Sequence, residues 1–216
     1  MFNGEGYRKI WARLRHQGIR TAKDRVLQVL RENHLLSPAR RLEAVASDPD
    51  EGTIIVELPK QMWGTDATAT FTEAEGTVTL FAAIDHCTAE CVGIHLVKKT
   101  TRFEALAPIR QEVKEQFGAF RRHCQRLCLR HDRGDVYMSN DFQNEIRFLG
   151  IEPSPAFVRQ PEGNGCIERF FRTLKEQLLW IRHFRDIEEL RAALIKFRNR
   201  YNHQCILQSL NYRTPV

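Results

Sequence analysis

Three β-patterned runs in close succession constrain this 216-residue chain more than any other feature of its sequence. Residues 65–71, 77–85 and 91–97 are rich in Thr, Val, Ile and Phe, and Glu75 and Gly76 supply a turn between the first two. So little chain separates the runs that they read as an antiparallel meander. The pattern then becomes helical. Thr101 and Glu104 form a capping box opening a helix whose Leu106, Ile109, Val113 and Phe117 mark one face. A short strand at 127–129, a helix near 139–149, an extended piece around 151–158 and a helix over 164–181 follow. A last helix begins at Asp186, with Glu189 as box partner and Ile187, Leu190, Leu194, Phe197 and Tyr201 at steps of three and four. Strands followed by alternating helices and strands give an α/β order.

Ahead of the strands, Tyr7, Ile10, Trp11 and Leu14 recur at helical spacing. Gln17, Gly18 and Ile19 make a stop, and Thr21 is placed to cap a second helix carrying Val26, Val29 and Leu30. Two short helices around a tight turn suggest a helix-turn-helix. The stretch 36–52, rich in Pro, Ser, Ala and charge, reads as a linker.

Charge distribution says more than the net charge of +6. Residues 1–45 hold ten basic side chains against four acidic ones, and the remainder carries 23 of each, so the entire excess lies in the first fifth of the chain. That asymmetry points to a polyanionic partner. Lys9, Arg13, Arg20, Lys23 and Arg25 are its DNA-facing candidates.

No run approaches the roughly 20 apolar residues of a membrane span, and the first residues lack a signal-peptide pattern, so the expected location is the cytoplasm. The six cysteines read as reduced thiols. His86, Cys87 and Cys91, and likewise His123, Cys124 and Cys128, lack the context of a zinc knuckle.

Three carboxylates have a chemical reason to act together. Asp66 lies in the first strand, Asp132 directly after the fourth, and Glu168 in the helix that follows the loop PEGNG. Mg²⁺ and Mn²⁺ take hard oxygen ligands, and a two-ion site needs several carboxylates to hold and neutralise it. Asp85 and His131, their nearest rivals, read as a turn-capping and a positioning residue.

The strings around these residues are WGTDAT (63–68), AIDHCT (83–88), RHDRGDVYMS (130–139) and PEGNGCIERFFRTLK (161–175), with 35 residues between Asp132 and Glu168. With GYRKIW at 6–11, YNHQ at 201–204 and the closing YRTP, they resemble the transposases of insertion-sequence family three, kin of retroviral integrases. The resemblance runs from about residue 6 to the C-terminus.

It implies a ribonuclease-H-like mixed sheet with flanking helices, preceded by a small helix-turn-helix. The expected divisions are a DNA-binding segment over 1–45, a linker over 46–60 and a catalytic core over 61–216. The implied reaction is DNA cleavage followed by strand transfer, with Asp66, Asp132 and Glu168 as catalytic residues and ligands of two Mg²⁺ or Mn²⁺ ions. Lys175, seven residues after Glu168 where the family carries a basic residue, and Arg172 would contact DNA. Implied partners are element ends, target DNA and further copies of the chain, with no membrane, in a bacterial cytoplasm beside the nucleoid. A catalytically idle DNA-binding remnant occupying element ends is the alternative. Asp135 and Val136 replace the family's usual Ser and Gln, and residues 205–211 are atypical. Relatives carry more sequence ahead of GYRKIW, so weak discrimination of element ends is expected of this chain by itself.

Deleting residues 1–45 is expected to weaken DNA binding and flatten its salt dependence. Each phosphate contact removed should lower the slope of log K against log salt by about 0.9, measurable by anisotropy titrations across a salt series.

Overall fold

The computed structural model describes residues 4–36, 56–117, 127–156 and 164–216. Most of the expected linker, 46–60, lies outside the described residues. Two helices, α1 (Tyr7–His16) and α2 (Lys23–Glu32), come first, followed by strands β1 (Met62–Thr72), β2 (Gly76–Asp85) and β3 (Cys91–Val97). Helix α3 (Arg102–Phe117), strand β4 (Cys128–His131), a one-turn α4 (Asp135–Met138), α5 (Asn140–Phe148) and strand β5 (Glu152–Pro155) continue the chain. Helix α6 (Gly165–Leu174) passes directly into a π-helical turn (Lys175–Leu179), and α7 (Ile187–Gln204) closes the core.

The sheet order is β3-β2-β1-β4-β5. As the meander pattern predicts, β1–β2 and β2–β3 pair antiparallel; β4 and β5 add on parallel to β1. Gly76, at φ +75°, supplies the left-handed position that the tight β1–β2 connection requires.

Strand alternation divides the core between two faces. Val78, Leu80, Ala82 and Ile84 of β2 meet Ile167, Phe170, Phe171 and Leu174 of α6 and Leu190, Leu194, Phe197 and Tyr201 of α7. Phe81 and Ala83 point oppositely, joining Trp63 and Leu129 under Ala105, Leu106, Ile109 and Val113 of α3 and Phe142 and Ile146 of α5. Helices therefore cover both faces. Gly93 of β3 admits α3 at close range: a Cβ there would lie 2.4 Å from the Pro108 carbonyl oxygen.

Several local expectations are corrected. The N-cap of α2 is Ala22, one residue after the expected Thr21, whose carbonyl accepts from Trp11 Nε1–H at 2.8 Å. Thr101 Oγ1 accepts from Glu104 N–H at 3.3 Å, but the Glu104 carboxylate turns to His95 Nε2 at 2.6 Å, so the box is half formed. Asp186 does cap α7, accepting from Glu189 N–H at 2.8 Å. The helix expected over 164–181 leaves α geometry after Leu174.

Phe170 is buried, with ring contacts to Phe171, Phe197 and Tyr201. Phe170→Ala is expected to cost about 3–5 kcal/mol of unfolding free energy, read from urea titrations, because it empties the centre of the α6–α7 layer.

Candidate active site

Parallel pairing of β1 with β4 spans only Met62–Cys128, Trp63–Leu129 and Gly64–Arg130. Continued by two residues, the same register sets Asp66 beside Asp132, just where the two strands part. Asp66 therefore sits inside an 11-residue strand rather than at its end, but at the point where β1 loses its neighbour. Asp132 leaves β4 in a tight turn in which its Oδ1 accepts from Gly134 N–H at 2.9 Å.

Glu168 arrives from α6, which packs on β1 and β2. Close approach of the start of that helix depends on Gly64: a Cβ there would lie 2.6 Å from His86 Nε2 and 2.8 Å from Asn164 Oδ1. The buried Asn164, N-cap of α6, reaches across with Nδ2 to the Thr65 carbonyl at 3.4 Å. Helix α6 is thus fixed to the strand one residue before Asp66, with Glu168 in its first turn.

Electrostatics registers the convergence. The Asp66 carboxyl is pushed up to about 6, first by burial, which the hydrogen bond from Ala67 N–H opposes, then by the charges of Asp132 and Glu168, with Lys175 acting in the opposite sense. Asp132 and Glu168 are exposed, while Asp66 is half-buried, so the acidic group forms a rim with Asp66 as its floor. Three carboxylates are hard oxygen donors of the kind that suits divalent cations in chemistry. Among the described residues, no three His, Cys, Asp or Glu side chains stand close enough to share one ion. Mutual repulsion of carboxylates favours such a spread in the donor set by itself.

The neighbouring polar residues are structural supports. Asp85 is 2% exposed. Its Oδ1 accepts from Cys87 and Thr88 N–H, both at 2.9 Å, and its Oδ2 from Lys60 N–H at 2.7 Å, so it caps the turn after β2 as its place in the sequence suggests. His131 is fully buried rather than solvent-exposed, its Nδ1 2.6 Å from the Asp132 carbonyl oxygen and its Nε2 3.2 Å from Gln143 Nε2. Burial lowers its pKa, and neutral imidazole with Nδ1–H donating and Nε2 accepting fits both bonds. His131 therefore positions the Asp132 backbone. Cys91 is likewise buried, its thiol pushed up to about 12, which disfavours the thiolate that zinc would need.

Sequence reasoning missed three supports: Gly64, Asn164 and Tyr137. Tyr137, on the unforeseen α4, stacks on His131, and its hydroxyl lies within electrostatic reach of Asp66 and Asp132. The string NG at 164–165, directly ahead of an amphipathic run, was the available signal for a helix start.

The basic candidates divide. Lys175 belongs to the acidic group, and Arg172 is exposed in the last turn of α6. Arg20, Lys23 and Arg25 are exposed, with Lys23 Nζ over the Trp11 ring at 4.5 Å. Lys9 and Arg13 do not share that open face. Arg13 pairs with Glu5 through two bonds of 2.6 and 2.7 Å and donates to the Gln204 carbonyl at 3.0 Å, while Lys9 Nζ lies 4.0 Å from Cys205 Sγ. Both dock α1 onto the end of α7 because helical spacing points them inward together.

Comparison with known proteins agrees with this architecture. A family model described as integrase core domain matches residues 149–215, and one described as HTH-like domain matches residues 5–42. Transposase InsD for insertion element IS2A/D/F/H/I/K of Escherichia coli is 28% identical over 219 residues, spanning 97% of this chain and 71% of that protein. Among solved structures, a simian T-cell lymphotropic virus intasome aligns with a TM-score of 0.62 at 21% identity, over 95% of this chain and 68% of the other. The Mos1 mariner transposase catalytic domain aligns at 0.54 and 14% identity, over 65% and 70%. The mixed sheet with flanking helices is the ribonuclease-H-like core of integrases and transposases. More narrowly, the chain is a homologue of the IS2 transposases of insertion-sequence family three, with an integrase core domain and an HTH-like domain.

The raised Asp66 pKa has a definite sign in stability. With a folded value of about 6 against an ordinary 3.8, the folded state binds more protons between those limits, so stability falls as pH rises through that window. In EDTA, Asp66→Asn is expected to remove that slope and to stabilise the protein by about 1–3 kcal/mol at pH 7, as measured by urea unfolding at pH 4 to 8.

Proposed function

We propose that this chain is a DNA transposase whose polynucleotidyl-transfer centre is formed by Asp66, Asp132 and Glu168. What supports the reading is the β1–β4 register, which continued by two residues sets Asp132 beside Asp66, together with Glu168 in the first turn of α6, a helix that packs on β1. The two aspartates and the glutamate would hold two Mg²⁺ or Mn²⁺ ions. Such ions supply activation of the attacking oxygen and stabilisation of the leaving oxygen.

The residues themselves perform the remaining tasks. His131 holds the Asp132 backbone through its carbonyl, and Asn164 and Gly64 keep the start of α6 against β1, so Glu168 cannot drift from Asp66. Lys175 binds a phosphate beside the carboxylates and Arg172 a neighbouring one, orienting the element-end phosphodiester for attack by water, which frees a 3′ hydroxyl, and then a phosphodiester of the target for attack by that hydroxyl, with the target's own 3′ oxygen as leaving group. Arg20, Lys23 and Arg25 add sequence-independent phosphate contacts from the N-terminal helices. In this reading residues 1–45 bind DNA, 46–60 link and 61–216 catalyse. The chain acts on element ends and target DNA as a homo-oligomer in the bacterial cytoplasm.

Asp132→Asn is expected to lower Mg²⁺-dependent cleavage and joining at least about a hundredfold while leaving folding and DNA affinity within about twofold, since the amide keeps the shape but loses the ion-holding charge. Labelled-oligonucleotide assays with native flanking DNA, paired with anisotropy, check both halves. Retained activity in the variant would overturn the site; DNA binding without cleavage by the unaltered chain would mark an idle end-binding protein.

A further inference from the structure

Asp132 lies just past the last paired residue of β4, and the end of β5 closes around it. Pro153 and Pro155 carry no N–H, as suits a strand at the sheet edge, so β5 reaches β4 through its other residues. Ala156 N–H donates to the His131 carbonyl at 2.8 Å. The Ala156 carbonyl in turn accepts from Arg133 Nε–H at 3.0 Å. One residue at the end of β5 therefore binds the chain on both sides of Asp132, immediately before it through the backbone and immediately after it through a side chain.

The two sides are not equally secured. Upstream, the buried Arg130 also donates through Nη1 to Ser154 Oγ at 3.2 Å and to the Pro155 carbonyl at 3.3 Å. Downstream, the turn is tight because Gly134 has no Cβ, which would lie 3.0 Å from Asp132 Oδ1, and the bond that ties this turn to β5 is the one from Arg133. Asp66 and Asp132 repel each other when both are ionised, a load that a turn fixed at one end alone would yield to.

We propose that Arg133 is a positioning residue: by closing the Ala156 clasp it holds the Asp132 carboxylate beside Asp66, where the two share in binding divalent ions. The proposal rests on the metal-dependent reading of the site and adds to it a residue that acts through the backbone rather than as a ligand. Its positive charge makes that role distinguishable. On charge alone, removing a cation next to a divalent-ion site strengthens ion binding, whereas losing a support of a ligand weakens it.

The test uses the full chain, first in EDTA and then with Mn²⁺. Amide hydrogen exchange followed by NMR compares the unaltered protein with Arg133→Ala. Exchange of the Ala156 and Gly134 amides is expected to quicken about tenfold in the variant, with that of the β1–β2 ladder unchanged. Mn²⁺ titrations followed by electron paramagnetic resonance should then show binding weakened about ten- to a hundredfold, the size of effect that supporting partners of metal ligands produce. Arg133→Lys, whose ammonium can still reach the Ala156 carbonyl, should keep most of the affinity. Arg133 is exposed, so the urea midpoint is expected to stay where it is. Unchanged amide exchange overturns the clasp, and Mn²⁺ affinity that stays the same or rises in Arg133→Ala overturns the positioning role. A urea midpoint lowered along with the affinity likewise overturns it, since Arg133 would then serve the whole fold. Because exchange is read without metal, it decides the clasp even if the unaltered chain binds no Mn²⁺, an outcome that would strike the ion site itself and the positioning role with it.

Discussion

Three residue pairs of parallel β1–β4 ladder determine where the chemistry is located. They join segments separated by an entire hairpin, a third strand and a long helix, and their register alone makes Asp66 and Asp132 neighbours. Parallel pairing always requires such a crossover, so the loop-closure entropy of the intervening chain must be offset by the packing of α3 under Phe81, Ala83 and Leu129. Sheet formation and site formation are therefore one event: a core that failed to seat α3 would also separate the two aspartates.

Glu168 depends on a different balance. Helix α6 is strongly amphipathic, with Ile167, Phe170, Phe171 and Leu174 buried and Glu168 and Arg169 exposed between them. Burial of four large apolar side chains outweighs the repulsion that Glu168 experiences on being brought toward Asp66. Asp66 is the least solvated of the three carboxyls, and its burial is the first cause of its raised pKa.

Much of this was legible in the sequence because it rests on period and spacing. The β-rich composition of 77–85 identified β2, and the buried stripe of α7 follows Leu190, Leu194, Phe197 and Tyr201 as its spacing suggests. Asp66, Asp132 and Glu168 were singled out through a family resemblance that includes the 35-residue interval, not through the local environment of any one carboxylate. What escaped has physical reasons. A four-residue helix such as α4 is too short to show a period. The π turn differs from α by one hydrogen-bond step, invisible in apolar spacing. The fates of Lys9 and Arg13 turn on a tertiary contact with α7, and formal charge cannot distinguish a guanidinium facing solvent from one paired with Glu5.

That contact makes the two ends of the chain mechanically one object. Arg13 holds the Gln204 carbonyl, Lys9 lies against Cys205, and the Trp11 ring meets Tyr212 edge-on at 6.0 Å. Residues 207–213, bridged as Leu207 to Arg213 with Asn211 and Tyr212 in left-handed conformations, form the buckle of this closure. The N-terminal helices are consequently held by a segment 191 residues further along the chain. The basic module therefore takes up its orientation relative to the acidic rim only after the sheet and the helices between them have been made.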